Sequence, residues 1–264
     1  MINEKVVDHI WAYGVHHDTG AERAKILFDD LGLVRDRKAE YIILSGCHQP
    51  QGMPQALRAL KKLLDHFKVS YSFLSKEYCC GWMPLGQPAV MAKNEADIAG
   101  SQELARAFLS ENAKMAKALD AKTLVLFCAA CEPTYRNCQK DLNLEVIPYW
   151  ELLGRFFAGG NLPTEIDYYA GCYRFRRRVT QTPLDVTPVL DTLGKIEALK
   201  IHSVDNNLCC YISAHQEKLR QELKTQRIMT ICTGCTYSLQ RLLKGKEGYR
   251  VQMLPEILWE SVSP

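Results

Sequence analysis

Thr123-Leu-Val-Leu-Phe-Cys-Ala-Ala-Cys131 decides the fold. Its first five residues are mostly apolar and partly β-branched. A short run of that kind, ending on Cys, predicts a strand buried on both faces. A C-x-x-C pair then stands at the carboxyl end of that strand. The same arrangement recurs in Arg227-Ile-Met-Thr-Ile-Cys-Thr-Gly-Cys235. Working outward from each copy, Tyr41-Ile-Ile-Leu-Ser-Gly46 leads to Cys47 and Asp167-Tyr-Tyr-Ala-Gly171 leads to Cys172. Leu144-Glu-Val-Ile-Pro-Tyr-Trp-Glu151 follows the first C-x-x-C, and Tyr249-Arg-Val-Gln-Met-Leu-Pro-Glu256 the second. Tyr71-Ser-Phe-Leu74 predicts a further strand, ahead of the adjacent pair Cys79-Cys80.

The chain is therefore an internal repeat. Its 11 cysteines fall into two sets of five: Cys47, Cys79, Cys80, Cys128, Cys131, and then Cys172, Cys209, Cys210, Cys232, Cys235. Both run in the order single, adjacent pair, C-x-x-C. Cys138 is left over, and a packing role suits it better than a ligand role. Between the strands lie helical patterns at Pro54–Lys68 and Glu95–Leu119, the latter one helix or two, and a shorter one at Gln216–Gln226. Strands alternating with helices predict an α/β fold of two pseudo-repeated halves. Each half is a small, mostly parallel sheet with flanking helices and cysteines at the strand C-terminal ends. In such sheets ligands bind in the crevice outside the strand carboxyl ends. The turn-rich stretch Ala158–Pro163 divides a first domain, 40–158, from a shortened second, 159–264. Residues 1–39 form an N-terminal extension, mostly helical, with a helix around Ala21–Leu31 and Gly32 as its stop.

Composition narrows the chemistry. A 264-residue chain that is 47% hydrophobic and 24% charged builds a core without disulfide staples. A net charge of +3 argues for neither nucleic acid nor a membrane surface. The longest apolar run, Thr123–Cys131, falls far short of the ~20 residues of a membrane span. The N-terminus carries no basic-then-apolar secretion signal, so a cytoplasmic location is expected. In a reducing compartment this many cysteines point to metal or redox chemistry. A lone C-x-x-C fits zinc, thioredoxin-type redox or chance, and buried inert cysteines are the bland alternative. Zinc takes four ligands, and five per half favour an iron–sulfur cluster.

The order Cys, Cys-Cys-Gly, C-x-x-C resembles the cysteine-rich CCG domain. Two tandem copies are similar to the CCG-bearing iron–sulfur subunit of heterodisulfide reductases, over residues 40–260. Related copies occur in iron–sulfur subunits of glycolate, lactate, succinate and fumarate metabolism. The resemblance implies two [4Fe-4S] clusters of noncubane type, one on each set of five cysteines. It implies reduction of a small disulfide or thiol substrate in one-electron steps, in an oxidoreductase subunit active only with partners. Those partners are the ones found in heterodisulfide reductases, a ferredoxin-like iron–sulfur subunit with cubane clusters and a flavin subunit. The alternative is an electron-transfer subunit, linking a flavin dehydrogenase to another acceptor without a substrate of its own. The chain departs from the pattern in its spacings: 47 residues separate Cys80 from Cys128, but only 21 separate Cys210 from Cys232. It also has Cys210-Tyr211 where the first copy has Cys80-Gly81.

Other residues are candidates beside the cysteines. His48, next to Cys47, can supply a proton and is the candidate catalytic group. Tyr173 is its counterpart after Cys172. Arg174 opens a basic run, Arg174 to Arg178, that suits either a solvated docking face or the grip on an anionic substrate. His16-His17 has no ligand at metal-site spacing and is expected on the surface. Neither a G-x-G-x-x-G nor a Walker loop is present, so nucleotide binding has no support.

Overall fold

The computed structural model describes residues 2–18, 20–171, 185–205 and 207–263. The described strands form two sheets of four parallel strands each. In the first, β1 (Tyr41–Leu44), β2 (Tyr71–Phe73), β3 (Thr123–Leu126) and β4 (Glu145–Pro148) stand in the order β2-β1-β3-β4. In the second, β5 (Gly160–Tyr169), β6 (Ile196–Ser203), β7 (Arg227–Thr230) and β8 (Arg250–Met253) stand in the order β6-β5-β7-β8. The expected α/β fold with two pseudo-repeated halves is thus the observed one.

The helices of the first half of the chain are α1 (Glu4–Tyr13), α2 (Ala21–Ala24), α3 (Gln49–Gly52), α4 (Pro54–His66), α5 (Gln87–Met91), α6 (Glu95–Ala118) and α7 (Glu132–Leu142). Those that follow are α8 (Tyr149–Phe156), α9 (Thr187–Leu193), α10 (Ser213–Glu222), α11 (Thr233–Leu242) and α12 (Leu254–Val262). No helix among the described residues is long and apolar enough to cross a membrane.

The described residues pack as two compact units. The first takes the chain up to Pro54 and from Val69 to Tyr149; the second takes Gln55–Lys68 and the chain from Trp150 onward. Helix α4 therefore leaves its sequence neighbours and joins the later unit. There Lys62 Nζ lies 5.1 Å over the Trp259 ring, and Phe67 meets Phe157 edge-on.

The core of the first unit follows from its sequence pattern. Strands β1, β2 and β3 are buried at every residue, as strands covered on both faces must be. Ile42, Leu124 and Leu126 share one apolar cluster with Leu109, Ala113 and Ala116 of α6. Helix α6 is a single helix of 24 residues; Asn94 caps it by accepting the Asp97 N–H at 3.1 Å, and Glu95 and Asp97 favour its first turn. Cys138 on α7 is buried in this same core.

Four local features differ from the sequence expectation. Ala158–Pro163 is more than a turn, because β5 begins at Gly160. Its Gly and Pro are tolerated since the register with β6 shifts between Asn161 and Thr164, and β7 pairs only with the later part, from Asp167. Strand β6 was not expected; Glu197, Lys200 and His202 mask it in the sequence, as charges on an edge strand do. Helix α10 runs over Ser213–Glu222, where Gln216–Gln226 was expected. The buried Asp167 carboxylate ends it early by accepting the Lys224 and Thr225 N–H groups. In the extension, the expected helix around Ala21–Leu31 is α2 followed by a π-helical segment, Lys25–Asp30, with Gly32 left-handed beyond it.

Candidate metal centre

Strand order places the cysteines. In the order β2-β1-β3-β4 the chain reverses its direction of winding between β1 and β3, and a crevice opens at their carboxyl ends. Cys47 follows β1, Cys79 and Cys80 follow β2, and Cys128 and Cys131 follow β3. All five line one pocket with Leu44, Gly46, Glu77, Tyr78, Leu126 and Tyr135. Cys80 Sγ and Cys131 Sγ lie 3.1 Å apart. Cys47 contacts Cys79, and Cys128 contacts Cys131, through their thiols. Cys47, Cys79, Cys80 and Cys131 are buried and Cys128 half-buried; none is in a disulfide.

The backbone turns needed for this are specific. Gly46 precedes Cys47 at φ 87°, and Gly171 precedes Cys172 at φ 92°. Both copies thus leave their first strand through a left-handed residue. At Gly46 a Cβ would lie 2.2 Å from Gln49 Oε1, a side chain that is itself buried. Gly46→Ala is expected to cost about 1–3 kcal/mol of stability, measured by urea unfolding, and to weaken metal retention by shifting Cys47. A cost within error of zero would mean that this turn is not strained. After the adjacent pair, Gly81 is left-handed (φ 72°) and opens a π-helical turn, Trp82–Gly86. Tyr211, its counterpart, is not among the positive-φ residues, so the second copy leaves its cysteine pair by a different turn.

A buried ion pair braces the crevice. Glu77 accepts the N–H groups of Ser45 (2.7 Å) and Gly46 (2.6 Å), the two residues ahead of Cys47. Arg23, from the extension, reaches Glu77 at 2.9 Å and Ser45 Oγ at 3.0 Å. Both charged side chains are only 4% exposed. From α6, the buried Asn112 accepts the Tyr78 N–H (2.7 Å) and donates to the Tyr78 carbonyl (2.8 Å) and Tyr135 hydroxyl (2.9 Å). Asn112 thereby fixes the residue before the adjacent pair. Sequence reasoning missed Arg23, Glu77 and Asn112, because nothing in their local pattern marks partners so far apart in the chain.

Electrostatics test whether a metal group suits these residues. Hydrogen bonding to Cys47, then burial, pushes the Cys79 thiol well up. Contact with Cys128 and Cys80, then burial, does the same to Cys131. At Cys80 the bond with Cys131 works downward, but Cys79 and burial outweigh it and the thiol is raised. At Cys47 the bond with Cys79 likewise pulls down, and burial and the neighbouring sulfurs win. Thiols so placed cannot ionise together by themselves. A soft cation in their midst is the partner that makes thiolates of them. The five thiols, four of them buried and Cys128 half-buried, therefore fit an iron–sulfur group.

The histidines lie closer than the sequence implied. His48 is half-buried at the start of α3, with its ring stacked on His17 at 4.4 Å and 4.9 Å from that of His16. His16 was expected on the surface. It is half-buried, and its Nδ1 lies 3.7 Å from Cys79 Sγ. Burial first, then His48 and His17, brings His16 down to about 4. The correction comes from the extension. Gly14 accepts the Cys79 N–H at 2.7 Å, and Ile10 and Val15 pack with Cys47 and Cys79, which draws residue 16 inward. At Gly14 (φ 79°) a Cβ would meet the Glu77 carbonyl at 2.2 Å, so only glycine permits this approach.

The second unit repeats the delivery of thiols. Cys209 and Cys210 follow β6, Cys232 follows β7, and Cys235 lies in the first turn of α11. All four are buried. Cys235 contacts Cys210 and Cys232, and these contacts, then burial, raise its thiol well up. Ser238 Oγ and Gln216 Nε2 donate to the Cys210 carbonyl at 2.6 and 2.7 Å, and His215 Nδ1 accepts the Cys209 N–H at 2.9 Å. Cys172, Tyr173 and Arg174, with the rest of the basic run, lie outside the described residues.

Parallel sheets that gather buried thiols at their carboxyl ends define a class of α/β protein built to hold a thiolate-bound metal centre. Within that class, residues 41–134 match the model of the CCG family, a cysteine-rich domain. All five cysteines of the first sheet lie within that matched stretch. No curated protein matches the chain. Among solved structures, a hypothetical protein from Helicobacter pylori matches with a TM-score of 0.54 at 12% identity, over 88% of this chain and 50% of that one. The chain thus spans half the length of that protein, and the likeness is one of fold. An aspartate racemase homologue from Pyrococcus horikoshii OT3 matches at a TM-score of 0.34 and 11% identity, over 84% of this chain and 96% of that one. That similarity is too loose to bear on chemistry.

Proposed function

We propose that the chain is an iron–sulfur subunit of a complex of heterodisulfide-reductase type, reducing a small disulfide or thiol substrate in one-electron steps. One observation carries this: the five thiols of the cysteine-rich domain converge in one crevice, whose one carboxylate, Glu77, is engaged by Arg23 and the Ser45 and Gly46 N–H groups. In this reading Cys47, Cys79, Cys80, Cys128 and Cys131 hold one [4Fe-4S] cluster, of noncubane type. Cys172, Cys209, Cys210, Cys232 and Cys235 hold the other. Such clusters, when bound, supply single electrons, which is what splitting a disulfide in two one-electron steps requires.

The chain's own groups do the remaining work. Burial keeps the thiol ligands away from solvent. His48, beside Cys47, holds the proton that a released thiolate takes up. Tyr173 and Arg174 grip the anionic part of a small disulfide or thiol substrate. The sequence has neither a ferredoxin-type cysteine run nor a flavin fingerprint, so electrons come from a ferredoxin-like iron–sulfur partner and a flavin partner. A cytoplasmic setting fits the reduced cysteines.

The different turn at Tyr211 favours a second reading, a relay between a flavin dehydrogenase and another acceptor. Protein purified without oxygen separates these. Two clusters give about eight irons and eight sulfides per chain. A disulfide reductase has EPR signals that shift on adding a disulfide. His48→Gln then keeps its iron but loses about 100-fold in turnover with its partner subunits. A relay keeps iron and rate alike in that variant. A colourless zinc protein overturns both.

A further inference from the structure

We propose that His16 is a nitrogen ligand of the first metal centre, so that this centre has mixed sulfur and imidazole ligation. The inference rests on the iron–sulfur function above. Its ground is a juxtaposition that the tandem repeat does not explain. The ligand atoms of His16, Cys47 and His48 lie within 4.8 Å of one another. His16 alone of the two histidines also reaches a second cysteine, with Nδ1 at 3.7 Å from Cys79 Sγ. Two ligands on one tetrahedral ion, at about 2.05 Å for nitrogen and 2.3 Å for sulfur, stand about 3.6 Å apart. The observed separation is of that size.

The extension is built to keep His16 there. The Gly14 carbonyl, two residues earlier, takes the Cys79 N–H, and Val15 is buried with Cys47 and Cys79. Behind it, Arg23 holds Glu77 and Ser45. The imidazole is thus fastened to the loops that carry both cysteines. His17 is held apart, its Nε2 3.3 Å from Asp18 and its ring stacked on His48. The second copy begins directly at β5 and has no such extension. The nearby His215 spends its Nδ1 on the Cys209 N–H. The two centres are therefore inequivalent. A neutral imidazole at this position gives the centre a higher potential than a thiolate there would, as the comparison of Rieske with all-cysteine centres shows.

The test is pulsed EPR on the full chain, loaded anaerobically with iron and sulfide and partly reduced, with natural-abundance and 15N-labelled histidine. The expected result is a strong nitrogen coupling that changes on histidine labelling. It disappears in His16→Ala and survives in His17→Ala. His16→Cys is expected to keep the iron and lower the first midpoint potential. The labelled wild-type protein serves as the readout should a variant fail to fold. A loaded centre with only weak couplings, insensitive to histidine labelling, overturns the ligand assignment and leaves the iron–sulfur function standing. So does a strong coupling that survives His16→Ala and is lost in His48→Ala. Protein that takes up no iron or sulfide overturns the function itself, and the ligand assignment with it.

Discussion

Cys131→Ser is expected to abolish the first metal centre while leaving the fold in place. Cys131 is buried, its sulfur lies 3.1 Å from that of Cys80, and it also contacts Cys128. It starts α7, and its carbonyl accepts the Tyr135 N–H at 3.0 Å, a bond the substitution retains. Serine has a shorter side chain and a hard oxygen that soft iron accepts poorly. Iron and sulfide per chain should fall by roughly half, the second set of cysteines keeping its share. Circular dichroism should remain that of the parent. Cys138→Ser is the control: Cys138 is buried on the same helix, in the hydrophobic core and outside the pocket. It should lose some stability and no iron. Full iron in Cys131→Ser would remove that residue from the ligand set.

Arg23→Met is expected to cost about 3–5 kcal/mol, the penalty for leaving one member of a buried ion pair alone. Glu77 would keep its bonds to the Ser45 and Gly46 N–H groups but face no positive charge. For a chain of this size the melting temperature should fall by about 10 °C. Glu77→Gln should be costly too, stranding Arg23 and weakening the hold on the turn into Cys47. The double variant should lose clearly less than the two singles together, since neither charge then stands alone. Losses below about 1 kcal/mol in the single variants would show that water reaches the pair.

The contrast between these residues explains what sequence alone could reveal. Cys131 was legible because its signal is local: an apolar run, then C-x-x-C, repeated at Cys232 and Cys235. Runs such as Tyr41–Leu44 and Thr123–Leu126 announce buried strands because covering both faces removes the polar alternation. Strand β6 hid because its exposed face carries Glu197 and Lys200. Helix α10 ended early through Asp167, which lies on another element. Arg23, Glu77 and His16 act across long stretches of chain, and only tertiary packing brings them to the cysteines. His48 could be singled out, since it adjoins Cys47; the company of His16 and His17 could not.

Helix α4 has a consequence for how the protein is made. It is synthesised early, yet it belongs to the unit that contains Trp259. At ribosomal speeds of about 5–20 residues per second, Trp259 follows His66 by about 10–40 s. During that interval Leu57, Leu60, Leu63 and Leu64, all buried in the finished protein, wait for their final surroundings. The nascent first half is thus exposed to aggregation until the last helix leaves the ribosome, and a chaperone that shields α4 during translation should raise the yield of native protein.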